Sequence, residues 1–162
     1  MSRAFVKETS ESAPPPERMV ADGPKLVTQA GYERIVGEVA RLEGALKALA
    51  IRLRSDGATA GQDVLLRETL ERDLRYWNDA KARAEIVPKP EGDAVAFGSR
   101  VTVPRNGRTQ SFHIVGEDEA DPSRGAVSFR SPLAQALIGA RKGDIVEMER
   151  PPGEIEILKV VN

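Results

Sequence analysis

Six aliphatic residues, Ile35, Val39, Leu42, Leu46, Leu49 and Leu53, recur at steps of four, three, four, three and four. That spacing puts them on one stripe of an α-helix, with Arg34, Glu38, Arg41, Glu43 and Lys47 off the stripe. Thr28 is a suitable N-cap, and Ser55-Asp56-Gly57 followed by Ala60-Gly61 breaks the run. A second run, from about Asp63 to Ile86, carries Leu66, Leu70, Asp73, Trp77, Ala80 and Ala84 in the same rhythm, with Leu74 beside Asp73. Two long helices joined by a short glycine-containing loop fold back as an antiparallel hairpin. No further long helical pattern is present to complete a bundle, so the pairing predicts a two-helix stalk with Trp77 packed against the first helix.

The flanks have a different character. Thr9 to Pro24 contains Pro14-Pro15-Pro16 and Asp22-Gly23-Pro24 among Ser and Glu. That composition buries too little surface to offset chain entropy, and residues 1–25 read as a flexible arm. Residues 26–87 hold the stalk, and 88–94, opening with Pro88-Lys89-Pro90, form a stiff linker. Beyond it, period-two signals mark strands at Arg100–Val103, Gln110–Val115, Ala126–Arg130, Asp144–Glu149 and Glu154–Val161. Turn signals stand at Asn106-Gly107 and Pro151-Pro152-Gly153. Pro132 to Ile138 reads as a short helix capped by Ser131, with Gly139 near its end. Residues 95–162 are thus expected to pack one short helix on a small, mainly antiparallel sheet. The whole is an α+β chain.

Composition narrows the function classes. The 162 residues include no cysteine and one histidine, which excludes disulfide scaffolds, thiol catalysis and Cys-ligated metal centres. A net charge of −1 removes a basic protein that coats nucleic acid, and an aromatic content of 4% argues against a large aromatic-lined pocket. Nothing at the start has the apolar run of a signal peptide, and no stretch is apolar enough to span a membrane, so a cytoplasmic location is expected.

Motif by motif, catalytic readings fall away. Asp118-Glu119-Ala120-Asp121 matches a helicase tetrapeptide, but no phosphate-cradling glycine loop accompanies it, and it reads as an exposed acidic loop between strands. His113 alternates with Phe112 and Ile114 along a strand and has no second ligand or base partner. Ser111 and Ser131 have no base at motif spacing. The loop between the helices is more informative. Asp56 and Asp63 sit at the far end of the hairpin, as helix caps or as carboxylates carried where a globular domain does not fit. Arg52, Arg54, Arg67, Arg72 and Arg75 follow the stalk, interleaved with Glu68, Glu71 and Asp73 as partners for ion pairs.

Ser128-Phe129-Arg130-Ser131-Pro132-Leu133-Ala134-Gln135-Ala136-Leu137-Ile138, then Gly143-Asp144, resembles the C-terminal signature of the bacterial Gre transcript-cleavage factors. Ile114 to Asp121, Gly31-Tyr32-Glu33-Arg34 and Phe97 to Val103 resemble that family's other strings, and Met1–Glu8 with Arg75-Tyr76 lean toward its GreB branch. The resemblance implies a coiled-coil stalk and a C-terminal domain of FKBP-like fold. It implies a monomer with bacterial RNA polymerase as partner, nascent RNA and DNA being met indirectly and membranes not at all. Asp121, Ser131, Pro132 and Leu133 match positions used to dock at the rim of the polymerase secondary channel. Tip carboxylates then help the polymerase active site hold a second Mg²⁺, so the chain is no enzyme itself, holds no metal when free and needs no cofactor.

The tip departs from the family pattern. Aligned on Arg75-Tyr76, Asp56 falls on the family's glutamate but Leu53 falls on its aspartate, and the first helix is shorter by about nine residues, or ~13 Å. Asp63 is the next acidic residue along, and Arg52, Arg54 and Arg67 are the candidate RNA contacts. Two functions remain open, assisted transcript cleavage and occupation of the channel without cleavage. Prolyl isomerisation, implied only by the FKBP-like fold, lacks the aromatic residues for its pocket.

Overall fold

A computed structural model describes residues 13–20, 22–56 and 61–162, with the side chain of Asp56 excepted. The chain divides into two compact units. Among the described residues, one takes in 13–20 with 38–56 and 61–78, and the other 22–37 with 79–162. Both ends of the helical hairpin's base therefore belong with the C-terminal sheet. Among the described residues no helix is long and apolar enough to cross a membrane.

The two helices are α1, Gln29–Asp56, and α2, Gly61–Arg83. At 1.5 Å per residue they run about 42 and 35 Å. Thr28 caps α1 as its sequence predicts: its Oγ1 accepts the Gly31 N–H at 3.0 Å, and its carbonyl accepts the Tyr32 N–H at 3.0 Å. Ile35, Val39, Leu42 and Leu49 are buried along the expected stripe, as are Trp77 and Ala80 on α2. Leu66 is the exception. It is 42% exposed, because among the described residues no third element covers the hairpin at that level.

The base of the hairpin is built differently from the expectation. Residues Ala84–Ile86 leave the helix to form strand β2, paired in parallel with β1, Lys25–Val27. The Val87 N–H continues that ladder to the Val27 carbonyl at 2.9 Å. β-branched Ile86 and Val87 stand just before Pro88, whose ring disfavours helix in the residue preceding it. Residues 13–20, read from composition as part of a flexible arm, also have partners. The Pro16 carbonyl, Glu17 and Arg18 contact Arg72, Arg75 and Tyr76 on α2.

The C-terminal sheet contains β3 (Arg100–Arg105), β4 (Arg108–Val115), β5 (Ala126–Ser128) and β8 (Lys159–Val161) in the order β5-β4-β3-β8. Asn106 and Gly107 turn β3 into β4 with φ of 52° and 74°, the left-handed pair that a tight hairpin needs. The sheet is antiparallel except at one edge. There β5 lies parallel to β4, since two short 3-10 turns, Glu117–Glu119 and Pro122–Arg124, carry the chain back before β5 starts. The single strand expected over 154–161 is two. Pro152–Glu156 (β7) pairs with Ile145–Glu149 (β6) as a separate ribbon, and fully buried Ile157 turns the chain inward before β8 joins β3. Helix α3, Pro132–Leu137, sends Ala134 and Leu137 into a core of Val95, Val101, Val103, Phe112, Ile114 and Ile157. The architecture is α+β, as the sequence predicts.

Candidate partner-docking site

Ser131, Pro132 and Leu133 form the entrance to α3. The Ser131 Oγ accepts the Ala134 N–H at 3.2 Å and Pro132 takes the first helical position, where its missing N–H costs nothing. Leu133 leans on the core while Pro132 stays exposed. All three line one groove of about 440 Å³, whose opposite wall is Met148 of β6 and Ile155 of β7, with Pro104 at the end of β3. The groove is walled by a helix start and a two-stranded ribbon, apolar along its floor, with Arg105, Arg150 and Glu154 on its lining. Its shape and lining suit an apolar side chain better than a reaction centre.

Asp121 does not line that slot. Its backbone bridges Ala126 at the start of β5, with N–H to carbonyl distances of 2.9 and 3.0 Å. The Ser123 hydroxyl, at 2.5 Å, is the main reason the Asp121 carboxyl stays below the usual carboxylate range. The Ser123 N–H at 3.1 Å and the Arg124 guanidinium at 3.5 Å act in the same direction. Asp121 is thus a fixed, exposed negative charge at the other end of the short strand leading to Ser131.

At the far end of the hairpin Asp63 pairs with Arg52, joining the two helices. Arg54 Nε donates to the Ala50 carbonyl at 3.3 Å, and Arg67 stands 3.9 Å from Glu71. Asp56 is the last residue of α1; its side chain and residues 57–60 lie outside the described residues. So do Met1–Glu8, on which the GreB lean partly rested. No group of three or more Asp, Glu, His or Cys able to hold a metal occurs among the described residues.

The acidic turn is where sequence reasoning missed most. Asp118 and Glu119 are not an exposed loop: they are half-buried and engaged. The Asp118 carboxylate is 2.5 Å from Lys25 Nζ. Glu119 accepts the Thr28 N–H at 3.0 Å, the Thr28 hydroxyl, and the Gly116 N–H at 3.1 Å. A methyl group on Gly31 would collide with this carboxylate, and one on Gly116 would meet the Leu26 carbonyl at 2.5 Å. A glycine in the first turn of a helix, costing about 1 kcal/mol relative to alanine, was the available signal. Nearby, His113 faces Arg100 across the β3–β4 ladder and shares a cavity of about 570 Å³ with Thr28, Ala30, Ile86, Pro88 and Lys89. Burial chiefly, and the Arg100 charge next, hold its imidazole below the ordinary histidine range.

These features can be set beside known proteins. Residues 89–162 match the model of the transcription elongation factor GreA/GreB C-terminal region. GreA of Desulfovibrio desulfuricans is 34% identical over 137 residues, 77% of this chain and 85% of that protein. The chain belongs to the GreA/GreB family. GreA of Nitrobacter hamburgensis is 47% identical over 88 residues, 51% of this chain and 56% of the relative. Among solved structures, Gfh1 of Thermus thermophilus, a GreA factor homolog, is 23% identical, with a TM-score of 0.39 and coverage of 86% and 100%. Within the GreA/GreB frame, the Gly31 string and the Ile114–Asp121 string have a physical relation. One supplies the helix turn without a Cβ, and the other supplies the carboxylate that occupies the space.

Proposed function

We propose that this chain is a transcription elongation factor that binds bacterial RNA polymerase at its secondary channel and acts on backtracked and paused complexes. The observation that carries the reading is the groove at the start of α3, where Ser131, Pro132 and Leu133 share one surface with the β6–β7 ribbon. Pro132 offers an exposed apolar contact, and Asp121 adds a fixed negative charge for a cationic partner residue. The relatives named GreA are transcription elongation factors, which supports polymerase as the partner.

In this reading the hairpin enters the channel and Asp56 lends a carboxylate to the polymerase active site. Mg²⁺ bound there would supply charge stabilisation for phosphodiester hydrolysis, and as a hard cation it would favour a carboxylate oxygen such as that of Asp56. The polymerase remains the enzyme. The Arg52–Asp63 pair favours a second reading, occupation of the channel without cleavage, because it holds the second tip carboxylate against a guanidinium of its own hairpin.

RNA cleavage on a purified backtracked polymerase complex separates the two. Under the first reading the protein stimulates cleavage, and Asp56→Ala abolishes stimulation while affinity for the polymerase stays unchanged. Stimulation surviving Asp56→Ala combined with Asp63→Ala removes the carboxylate role. Tight binding with no stimulation by the unaltered protein establishes the second reading, and absence of binding overturns both.

A further inference from the structure

Residues 13–20 lie against one face of α2 through polar contacts. Arg72 Nη1 donates to the Pro16 carbonyl at 3.4 Å, and Glu17 pairs with Arg75. The Arg18 guanidinium stands 3.7 Å above the Tyr76 ring and 5.3 Å from that of Trp77. Positions 72, 75 and 76 share one helix face by their spacing of three and four. Farther on, Arg83 Nη2 donates to the Gly23 carbonyl at 2.7 Å. Contacts at Pro16, Glu17 and Arg18 advance in the same order as Arg72, Arg75 and Tyr76, so residues 16–18 run beside α2 in the helix's own direction.

Little apolar surface holds this arm down. Met19 is 97% exposed and Val20 44%, and both members of the Glu17–Arg75 pair are more than half exposed. Exposed ion pairs and stacked surface cations are individually weak, so these contacts hold the arm only lightly. Its ends suit movement. Pro14-Pro15-Pro16 pre-extends the outer end, and Gly23, with φ of 94°, supplies a pivot at the inner end.

We propose that residues 13–20 are a displaceable strap on α2 that limits how far a partner can receive the hairpin. Among the described residues, only the two helices form the hairpin beyond Arg72, a length of about 16 Å from Gly61 at 1.5 Å per residue. Engagement past that level requires the strap to leave and to expose Arg72, Arg75 and Tyr76. The inference rests on the reading that a polymerase channel receives the hairpin. A partner that engages only the strap-free form binds more weakly by the fraction of molecules that are open.

The experiment uses the full chain and core RNA polymerase. Trp77 is the chain's only tryptophan, so acrylamide quenching of its fluorescence reports strap release. Glu17→Ala with Arg18→Ala is expected to raise quenching and tighten polymerase binding about three- to tenfold. Because the chain has no cysteine, Glu17→Cys with Arg75→Cys can be joined by a reducible thiol crosslinker. The joined form is expected to lose binding by well over tenfold relative to the unaltered protein, and reduction to restore it. Equal affinity of the opened, closed and unaltered proteins overturns the strap, as does weaker binding of the opened variant, which would make the arm part of the docking surface. Failure of all forms to bind polymerase overturns the functional reading and the gating with it.

Discussion

The Glu119 carboxylate accepts both the backbone N–H and the hydroxyl of Thr28, so the residue that caps α1 is itself held by a turn 91 residues later in the chain. A carboxylate here also faces the positive end of the helix dipole.

Thr28→Val and Glu119→Gln should therefore be non-additive. A double-mutant cycle by urea unfolding is expected to show coupling of about 1.5–3 kcal/mol, the range for hydrogen bonds to a charged group. Strict additivity would disprove the clasp. In the same experiment Gly31→Ala is expected to destabilise by about 1–2 kcal/mol. In a Glu119→Ala background, with the obstructing carboxylate gone, the sign reverses and alanine's helix propensity contributes up to about 1 kcal/mol.

Pro132→Arg places a long cation at the mouth of the groove without touching the core. Circular dichroism and melting temperature should stay unchanged, while polymerase affinity falls by at least about tenfold, the scale expected when a central interface contact is lost. Unchanged affinity in a titration would move the docking surface elsewhere.

Trp77 is 7% exposed, with its ring edge against Tyr76 at a centroid distance of 5.3 Å. Its emission should be blue-shifted in the native protein. Trp77→Ala should cost about 3 kcal/mol, the lower end for a buried aromatic, since a hairpin encloses it less than a full core would. Emission typical of a water-exposed indole would contradict the packing.

The chain's one histidine gives a clean pH test. His113 has a lower pKa in the folded protein than its ordinary value, chiefly through burial. As pH falls, the unfolded chain takes up its proton first, so stability is complete above about pH 7.5 and declines through the ordinary histidine range near 6.5. His113→Gln should flatten the stability profile between about pH 7.5 and 5.5. A profile with the same slope in that variant would assign the effect to other groups.

The parts of this fold legible in the sequence are those where one periodicity runs long enough to be read. Ile35 to Leu49 announce α1, and Asn106-Gly107 with alternating neighbours announce the β3–β4 hairpin. Ser131 before Pro132 likewise announces α3, and with it the groove. What escaped is short or long-range. β1 and β2 span three residues each, too few for alternation to register. Leu66 fits the seam arithmetically, but arithmetic does not count the neighbours available near a hairpin's end. Asp118 and Glu119 read as solvent-facing because charge usually is, and their partners, Lys25 and Thr28, lie some ninety residues earlier. Arg18 on Tyr76 couples a proline-rich segment to a helix through stacking, which no local pattern encodes.

The β1–β2 pairing and the Glu119 clasp also set an order of events during synthesis. At translation rates of about 5–20 residues per second, roughly 5–18 s separate the emergence of Thr28 from that of Glu119. Through that interval α1 and α2 can zip together from their shared loop, but the root of the hairpin has neither its cap partner nor the Lys25 counter-charge. Once residue 87 has emerged, the β1–β2 pairing can tie the root, but the α1 cap stays without its carboxylate until the acidic turn leaves the ribosome. Truncations ending before residue 116 would keep the β1–β2 tie but lack the Glu119 cap, with the first turn of α1 exchanging its amide protons faster than in the full chain.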